Sequence, residues 1–328
     1  WLADVIIQER VLINESAKQN LPRYAEGKNL DSLSEIFHNV PRLEPEAAKT
    51  TLRFYLTKTL TEDFIITDTM EVTVDGTINF DTVGHIIFKA GADYADVPAV
   101  CTTAGEIGNG FLPGQVDKLV SDEFLYFNEV MNITETAGGS EAEKDAAYYN
   151  RMRESEESYT TAGSRGSYIY HAKSVSAQIS DVSAESPQPG VADIRIMLYN
   201  GELPDKELID KVRDYLSGDE IRPMTDTVLV AAPDTVEFDI NIKYFISKEK
   251  ELSTNDIKQA VALAVENYIL WQTSKMGRDI NPSYFNAMLM ESGIKRVEIT
   301  APVFTQIPKG SVAVVKEESV TFGGVEDE

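Results

Sequence analysis

The stretch Thr235–Ile246, TVEFDINIKYFI, sets Phe238, Ile240, Ile242, Tyr244 and Ile246 against Glu237, Asp239, Asn241 and Lys243. Successive side chains of a strand point to opposite sides of a sheet, so this alternation predicts a strand with one covered face and one wet face. The flanking segments carry matching signals. Before it, ADIRIMLY alternates Ile194, Ile196 and Leu198, and PDKELIDKVRDYLSG turns Leu208, Val212, Tyr215 and Leu216 inward with Gly218 as a stop. DTVLVAAP then reads as a strand. After it, STNDIKQAVALAVENYILW places Ile257, Val261, Ala264, Val265, Tyr268 and Trp271 at helical spacing. Asn281-Pro282 opens a further helix, closed by Gly293, before the strand RVEIT. The order strand, helix, strand, strand, helix, strand predicts a ferredoxin-like (split βαβ) α+β domain over residues 177–328 with one additional helix. Residues 177–184 can pair as an extra strand, and SVAVVKEESVTFGGVEDE reads as a final hairpin with an acidic tail.

Moving outward, residues 137–176 read as a helical connector. Ser140 followed by Glu143 predicts a capping box, with Ala142, Ala146, Tyr149 and Met152 on one face. Tyr168, Ala172 and Val175 mark a second helix. Gly138, Gly139, Gly163 and Gly166 are candidate hinge positions; Gly163 and Gly166 permit positive φ, and Ser164 or Ser167 can cap the helix that follows. Over residues 43–136 the helical period disappears. TTLRFYLT alternates Leu52, Phe54 and Leu56, and MEVTVDGTINF puts Val72 and Val74 before the Asp75-Gly76 turn signal, so this part is expected to be all-β.

Residues 1–42 read as helices. Leu2, Val5, Ile6, Ile7, Val11, Leu12 and Ile13, with Trp1, cover more than the single stripe of a surface helix. One face cannot hide them all, which predicts a bundle shared with other chains; the alternative is a helix packed only within its own chain. Gly27 is the expected stop, followed by a short amphipathic helix carrying Leu30, Leu33, Ile36 and Phe37, with Pro41 as the next boundary. The fold class expected is therefore multi-domain α+β.

Composition narrows the function. A formal charge of −24 argues against nucleic acid and against an anionic bilayer, because phosphate binding depends on clustered Lys and Arg. The longest apolar runs fall short of the roughly 20 residues that span a membrane, and no secretory pattern opens the chain. Trp1 cannot be a translation start, so leading residues are expected to be missing. Cys101, the one cysteine, cannot form an internal disulfide and reads as a small buried hydrophobe.

Ala162-Gly163-Ser164-Arg165-Gly166 approximates a nucleophile elbow, but the preceding RESEESYTT is too polar for the buried strand that an elbow requires. Of the three histidines, His38, His85 and His171, the last follows the serine on the same helix, where an elbow's base does not normally arise. A hinge between two helices explains the stretch better. Gly105, Gly108 and Gly110 run in the reverse of phosphate-loop spacing, with no apolar helix behind them. The 54 Asp and Glu make any catalytic carboxylate pair non-specific, and no zinc or calcium spacing exists, so no catalytic residue, cofactor or metal is expected.

Several segments in order resemble one family. AKQNLPRYAEGKNLDSLSEIFHNVPR, GEIGNGFLPGQV with NEVMNIT, GGSEAEKDAAYYNRMRES, TAGSRGSYIYHAKSV, PGVADIRIMLYNGELPDKELIDKVRDYL and IRPMTDTVLVAAPDTVEFDINI are similar to the baseplate J-like wedge proteins of contractile phage tails and related injection particles. The likeness runs over roughly residues 14–300. In the family the first turn of EAEKDAAYYNRMR usually carries a denser acidic run. The resemblance implies a non-enzymatic wedge component at the tail tip, assembled in the host bacterial cytoplasm. Its implied partners are other copies of itself, a second wedge protein joined through a bundle of N-terminal helices, and further baseplate, tube or sheath-initiating proteins. A tail-tip cell-wall hydrolase and a receptor-binding module are the alternatives.

Overall fold

A computed structural model describes residues 1–37, 40–159, 164–218, 221–223, 225–249 and 254–327. His38 and Gly163 lie outside the described residues. The chain divides into two compact units, Trp1–Met152 and Arg153–Glu328.

In the first unit, α1 (Leu2–Lys18) and α2 (Gly27–Leu33) precede eight strands: β1 (Lys49–Leu56), β2 (Phe64–Ile66), β3 (Glu71–Thr73), β4 (Asn79–Thr82), β5 (Ile86–Phe88), β6 (Tyr94–Cys101), β7 (Lys118–Leu119) and β8 (Phe127–Asn132). Six form an antiparallel sheet in the order β7-β3-β4-β6-β1-β8, and β2 pairs with β5 as a separate ribbon. The alternation read in TTLRFYLT is realised: Leu52, Phe54 and Leu56 point into a core with Phe80, Ile86, Phe88, Val97 and Val130. Cys101 is buried in the same core. At the expected β3–β4 turn, Asp75 Oδ1 accepts the N–H groups of Thr77 and Ile78, and Gly76 takes φ 92°.

Asn132 draws the glycine-rich loop onto this sheet. Its Oδ1 accepts the Val116 N–H at 2.9 Å, and its Nδ2 donates to the carbonyls of Leu112 at 3.0 Å and Thr134 at 2.8 Å. Its backbone accepts from Gly114 and donates to Val116. Buried at 1% exposure, this amide satisfies backbone groups that a loop otherwise leaves orphaned.

The expected capping box does not form. Helix α3 (Asp145–Glu154) starts beyond it; Ser140 instead exchanges backbone hydrogen bonds with Glu46, and the Glu143 carboxylate binds Arg151 and the Leu43 N–H. The buried face of α3 is Tyr148, Arg151 and Met152, so of the predicted face only Met152 is buried. Gly27 does not stop α1, which ends nine residues earlier at Lys18; Gly27 opens α2 instead.

The second unit contains α4 (Arg165–Lys173), β9 (Ile179–Glu185), β10 (Val191–Leu198), α5 (Lys206–Leu216), β11 (Thr227–Ala231), β12 (Asp234–Ser247), α6 (Thr254–Thr273), α7 (Pro282–Glu291), β13 (Arg296–Ala301) and β14 (Ser311–Glu326). The fold is multi-domain α+β, as expected, but the C-terminal strands do not share one ferredoxin-like sheet. They make two three-stranded sheets, β11-β10-β9 and β13-β12-β14. Strands β10 and β11 run parallel across α5, a right-handed crossover being the rule for such a unit. Pro233, between β11 and β12, lacks the N–H needed to continue a ladder, and the chain changes sheet there.

Strand β9 is the extra strand anticipated, pairing antiparallel with β10. The expected terminal hairpin is a single strand: β14 runs parallel to β12 along its length. The register shifts between Phe238 and Ile240, where Lys316 and Glu317 oppose the one residue Asp239. A bulge absorbs the charge run without a turn.

Each of these two sheets, in the second unit, is packed by helices. Tyr168 and Ala172 of α4 and Leu208, Val212 and Leu216 of α5 pack on Ile194 and Ile196. Ile257, Val261, Val265 and Tyr268 of α6 and Phe285 and Leu289 of α7 pack on Ile240, Ile242 and Tyr244.

Candidate assembly interface

Helix α1 buries none of its 17 residues. Leu2 is 65% exposed, Ile7 60%, Leu12 68% and Ile13 68%; Ile6 and Val11 are also exposed, and Val5 is half-exposed. At about 100° per residue, Leu2, Ile6 and Ile13 form one broad face with Val5 and Leu12 beside them, broken by Glu9. Ile7 and Val11 lie on the opposite side. Burying an aliphatic side chain of this size is worth about 1.5–3 kcal/mol, and helices of this length are marginal alone in water. A helix left apolar and exposed on two sides therefore forgoes that gain on both.

The base of α1 is fixed. Gln19 Oε1 accepts the Glu26 N–H at 3.0 Å and the Asn29 amide at 3.1 Å, turning the chain into α2. Leu30 of α2 is buried with Ala25, Val40, Tyr148 and Met152. Asp145 Oδ2 accepts the Gly27 N–H. Arg42 then ties these segments together: Nη2 lies 2.7 Å from both Asp31 and Asp145, Nη1 donates to the Glu143 carbonyl at 2.6 Å, and the guanidinium stacks on Tyr148. Beneath it, Arg151 and Glu143 form a buried pair at 2.6 Å, each side chain 5% exposed, and Arg151 also donates to the Pro41 carbonyl. These contacts were not read from the sequence, because they join side chains at no periodic spacing, some about ten positions apart and some about a hundred.

The candidate hinge residues occupy different settings. Gly138 has φ 85°, a conformation open to glycine, with free space where a Cβ would stand. Gly139 is tightly held: its N–H donates to Asn109 Oδ1 and its carbonyl accepts from Asn109 Nδ2, both at 2.8 Å. A Cβ there would collide with the Gly105 carbonyl oxygen, so the double glycine locks the GEIGNG loop in place. Gly166 lies in the first turn of α4 and does not use the positive φ open to a glycine; a Cβ there would collide with the Glu157 side chain.

Ser164 caps α4, as the sequence suggested, its Oγ accepting the Ser167 N–H at 3.1 Å. His171, on the same helix, packs its ring against Tyr170 and Tyr215, and burial lowers its pKa against the opposing effect of a hydrogen bond to the Ser158 backbone. A cleft beside α4 is lined by Arg165, Tyr168, Glu185 and Asp226. Its polar groups bind one another, Tyr168 to Asp226 at 2.9 Å and Arg165 to Glu185 at 3.1 Å.

A multi-domain α+β chain with an unpartnered apolar helix has the form of an assembly subunit. Residues 51–139 match the Baseplate J-like protein barrel domain, 160–232 the Baseplate J-like central domain and 238–322 the Baseplate J-like protein C-terminal domain. Three consecutive domains of one protein type are thus present in order, and the chain belongs to the baseplate J-like family.

Among its relatives is Baseplate protein J of Escherichia phage P2, 33% identical over 162 residues, which are 49% of this chain. The match spans about half of that relative, 53% of its length. Among solved structures, a cryo-EM structure of the anti-feeding prophage baseplate aligns with a TM-score of 0.46 at 10% identity, covering 96% of this chain and 84% of that one.

Proposed function

We propose that this chain is a structural component of the baseplate of a contractile tail or related injection particle. In this reading α1 joins helices of neighbouring subunits, a second wedge protein among them, and the folded units behind it contact further copies to close a ring at the tail tip. The chain then takes part in the ring's rearrangement on contraction, and its place is the tail baseplate of a virion or particle. The observation that carries the reading is α1 itself, whose apolar side chains are exposed on two sides.

The clasp at Arg42 supports it, because a rigid base lets force on the helix reach the β-domain. Co-expression with the neighbouring tail genes, followed by particle purification and imaging, tests it. The expected result is density for this chain at the tail tip with α1 inside a helical bundle; particles lacking the chain, or a solvent-exposed α1 within them, would overturn it.

A further inference from the structure

Away from α1, the loop between α6 and α7 presents a second kind of surface. Residues 274–280, SKMGRDI, are held from several directions. The Met276 N–H donates to Asp181 Oδ2 at 3.0 Å, and its side chain is buried with Met197 and Val312. The Gly277 N–H donates to the Ser311 carbonyl, the Arg278 carbonyl accepts from the fully buried Gln272, and Asp279 Oδ1 accepts the Ile307 N–H. The backbone that carries Arg278 is fixed, so little conformational entropy remains to be lost there on binding.

The side chain is held too. The Arg278 guanidinium stacks over the Trp271 ring, 4.1 Å from its centroid, and Trp271 packs on Tyr284 at 4.2 Å between centroids. Tyr284 is 41% exposed, so the stack reaches solvent. Arg278 makes no ion pair among the described residues; its side-chain hydrogen bond is a long one of 3.4 Å to Ser274 Oγ. Burial pulls its pKa below the ordinary arginine value, with Tyr284 and Asp181 opposing. In a chain of formal charge −24, a preorganised, partly desolvated guanidinium left without a carboxylate stands out.

Trp, Tyr and Arg dominate the energetics of protein interfaces, and a guanidinium's planar fork matches a carboxylate in two parallel hydrogen bonds. We infer that the Arg278–Trp271–Tyr284 stack is an anchor for an acidic segment of a neighbouring subunit, one Asp or Glu carboxylate closing on Arg278 and an adjacent apolar side chain lying on Tyr284. Charge complementarity selects this occupant, because the half-buried cation here lacks the anion that the half-buried guanidinium groups at Arg42 and Arg195 have found internally.

The inference rests on the assembly role proposed above, and the test separates the two. Arg278→Lys keeps the charge and supplies an amine to a zero-length carbodiimide cross-linker. In purified particles containing this variant, mass spectrometry should find an amide between position 278 and an Asp or Glu of another subunit. Particles that contain the chain but cross-link position 278 only to its own carboxylates, Asp181 first among them, or not at all, would overturn the anchor and leave the assembly role standing.

As a second readout, Arg278→Gln with an unchanged circular dichroism spectrum should lower incorporation into particles by about tenfold or more, the scale of an interface hot spot. Undiminished incorporation of that variant counts against the anchor. A folded Arg278→Lys protein excluded from particles counts for it, since only the fork geometry has been lost.

Discussion

At the scale of single residues, Asn132 and His171 carry the clearest consequences. The Asn132 amide donates to carbonyl oxygens and accepts an N–H in one buried position. Asn132→Asp would place a second oxygen against the Leu112 and Thr134 carbonyls, with no donor to offer at neutral pH. A loss of about 3 kcal/mol follows from leaving those groups unpaired, which in a unit of this size corresponds to a fall in Tm of roughly 10 °C, measurable by calorimetry.

For His171 the sign follows from burial. The folded protein holds the imidazole neutral below its ordinary pKa of 6.5, while the unfolded chain takes up the proton near that value. Stability is therefore lost as pH falls through about 6.5 and levels off below the folded-state pKa. Urea titrations at pH 7.5 and 5.5 should show a smaller loss on acidification for His171→Phe than for the parent. The sequence marked the motif around Asn132 only through its family likeness, because a side chain that binds three backbone groups looks like any other asparagine until the loop is folded around it.

At the scale of elements, periodic signals were legible and partnerships were not. Strand β12 buries Phe238, Ile240, Ile242, Tyr244 and Ile246 as its alternation requires, and α5 buries Leu208, Val212 and Leu216. Tyr215 escapes to 44% exposure because its long ring reaches the edge of the helix face. What failed was pairing. Strand order along the chain does not say which edge a strand will join, and Pro233 diverted β12 from the sheet of β10 to that of β14. The misplaced capping box has a related cause: Glu143 can neutralise the buried Arg151, a stronger demand than one backbone N–H. Removing one partner of such a pair costs about 3–5 kcal/mol. Glu143→Ala should thus lower the unfolding free energy by that amount in urea titrations, whereas exchanging the exposed Lys18–Glu15 pair should leave it unchanged within error.

At the scale of the whole molecule, the chain is two folded units, and the first of them begins with a helix that buries none of its residues. The sequence announced this through α1, whose apolar residues exceed what one face can hide. It was silent on the clasp of Arg42, Asp31 and Asp145, since ion pairs outside helical or strand spacing leave no periodic trace.

If α1 exists to meet other subunits, its apolar residues contribute nothing to the stability of the chain alone. Ile6→Glu with Leu12→Glu should then leave the isolated protein's urea midpoint within error of the parent's. The decisive measurement is the fate of that double variant when it is co-expressed with the neighbouring tail proteins. The account predicts a folded protein that no longer enters particles, whereas normal incorporation would contradict it.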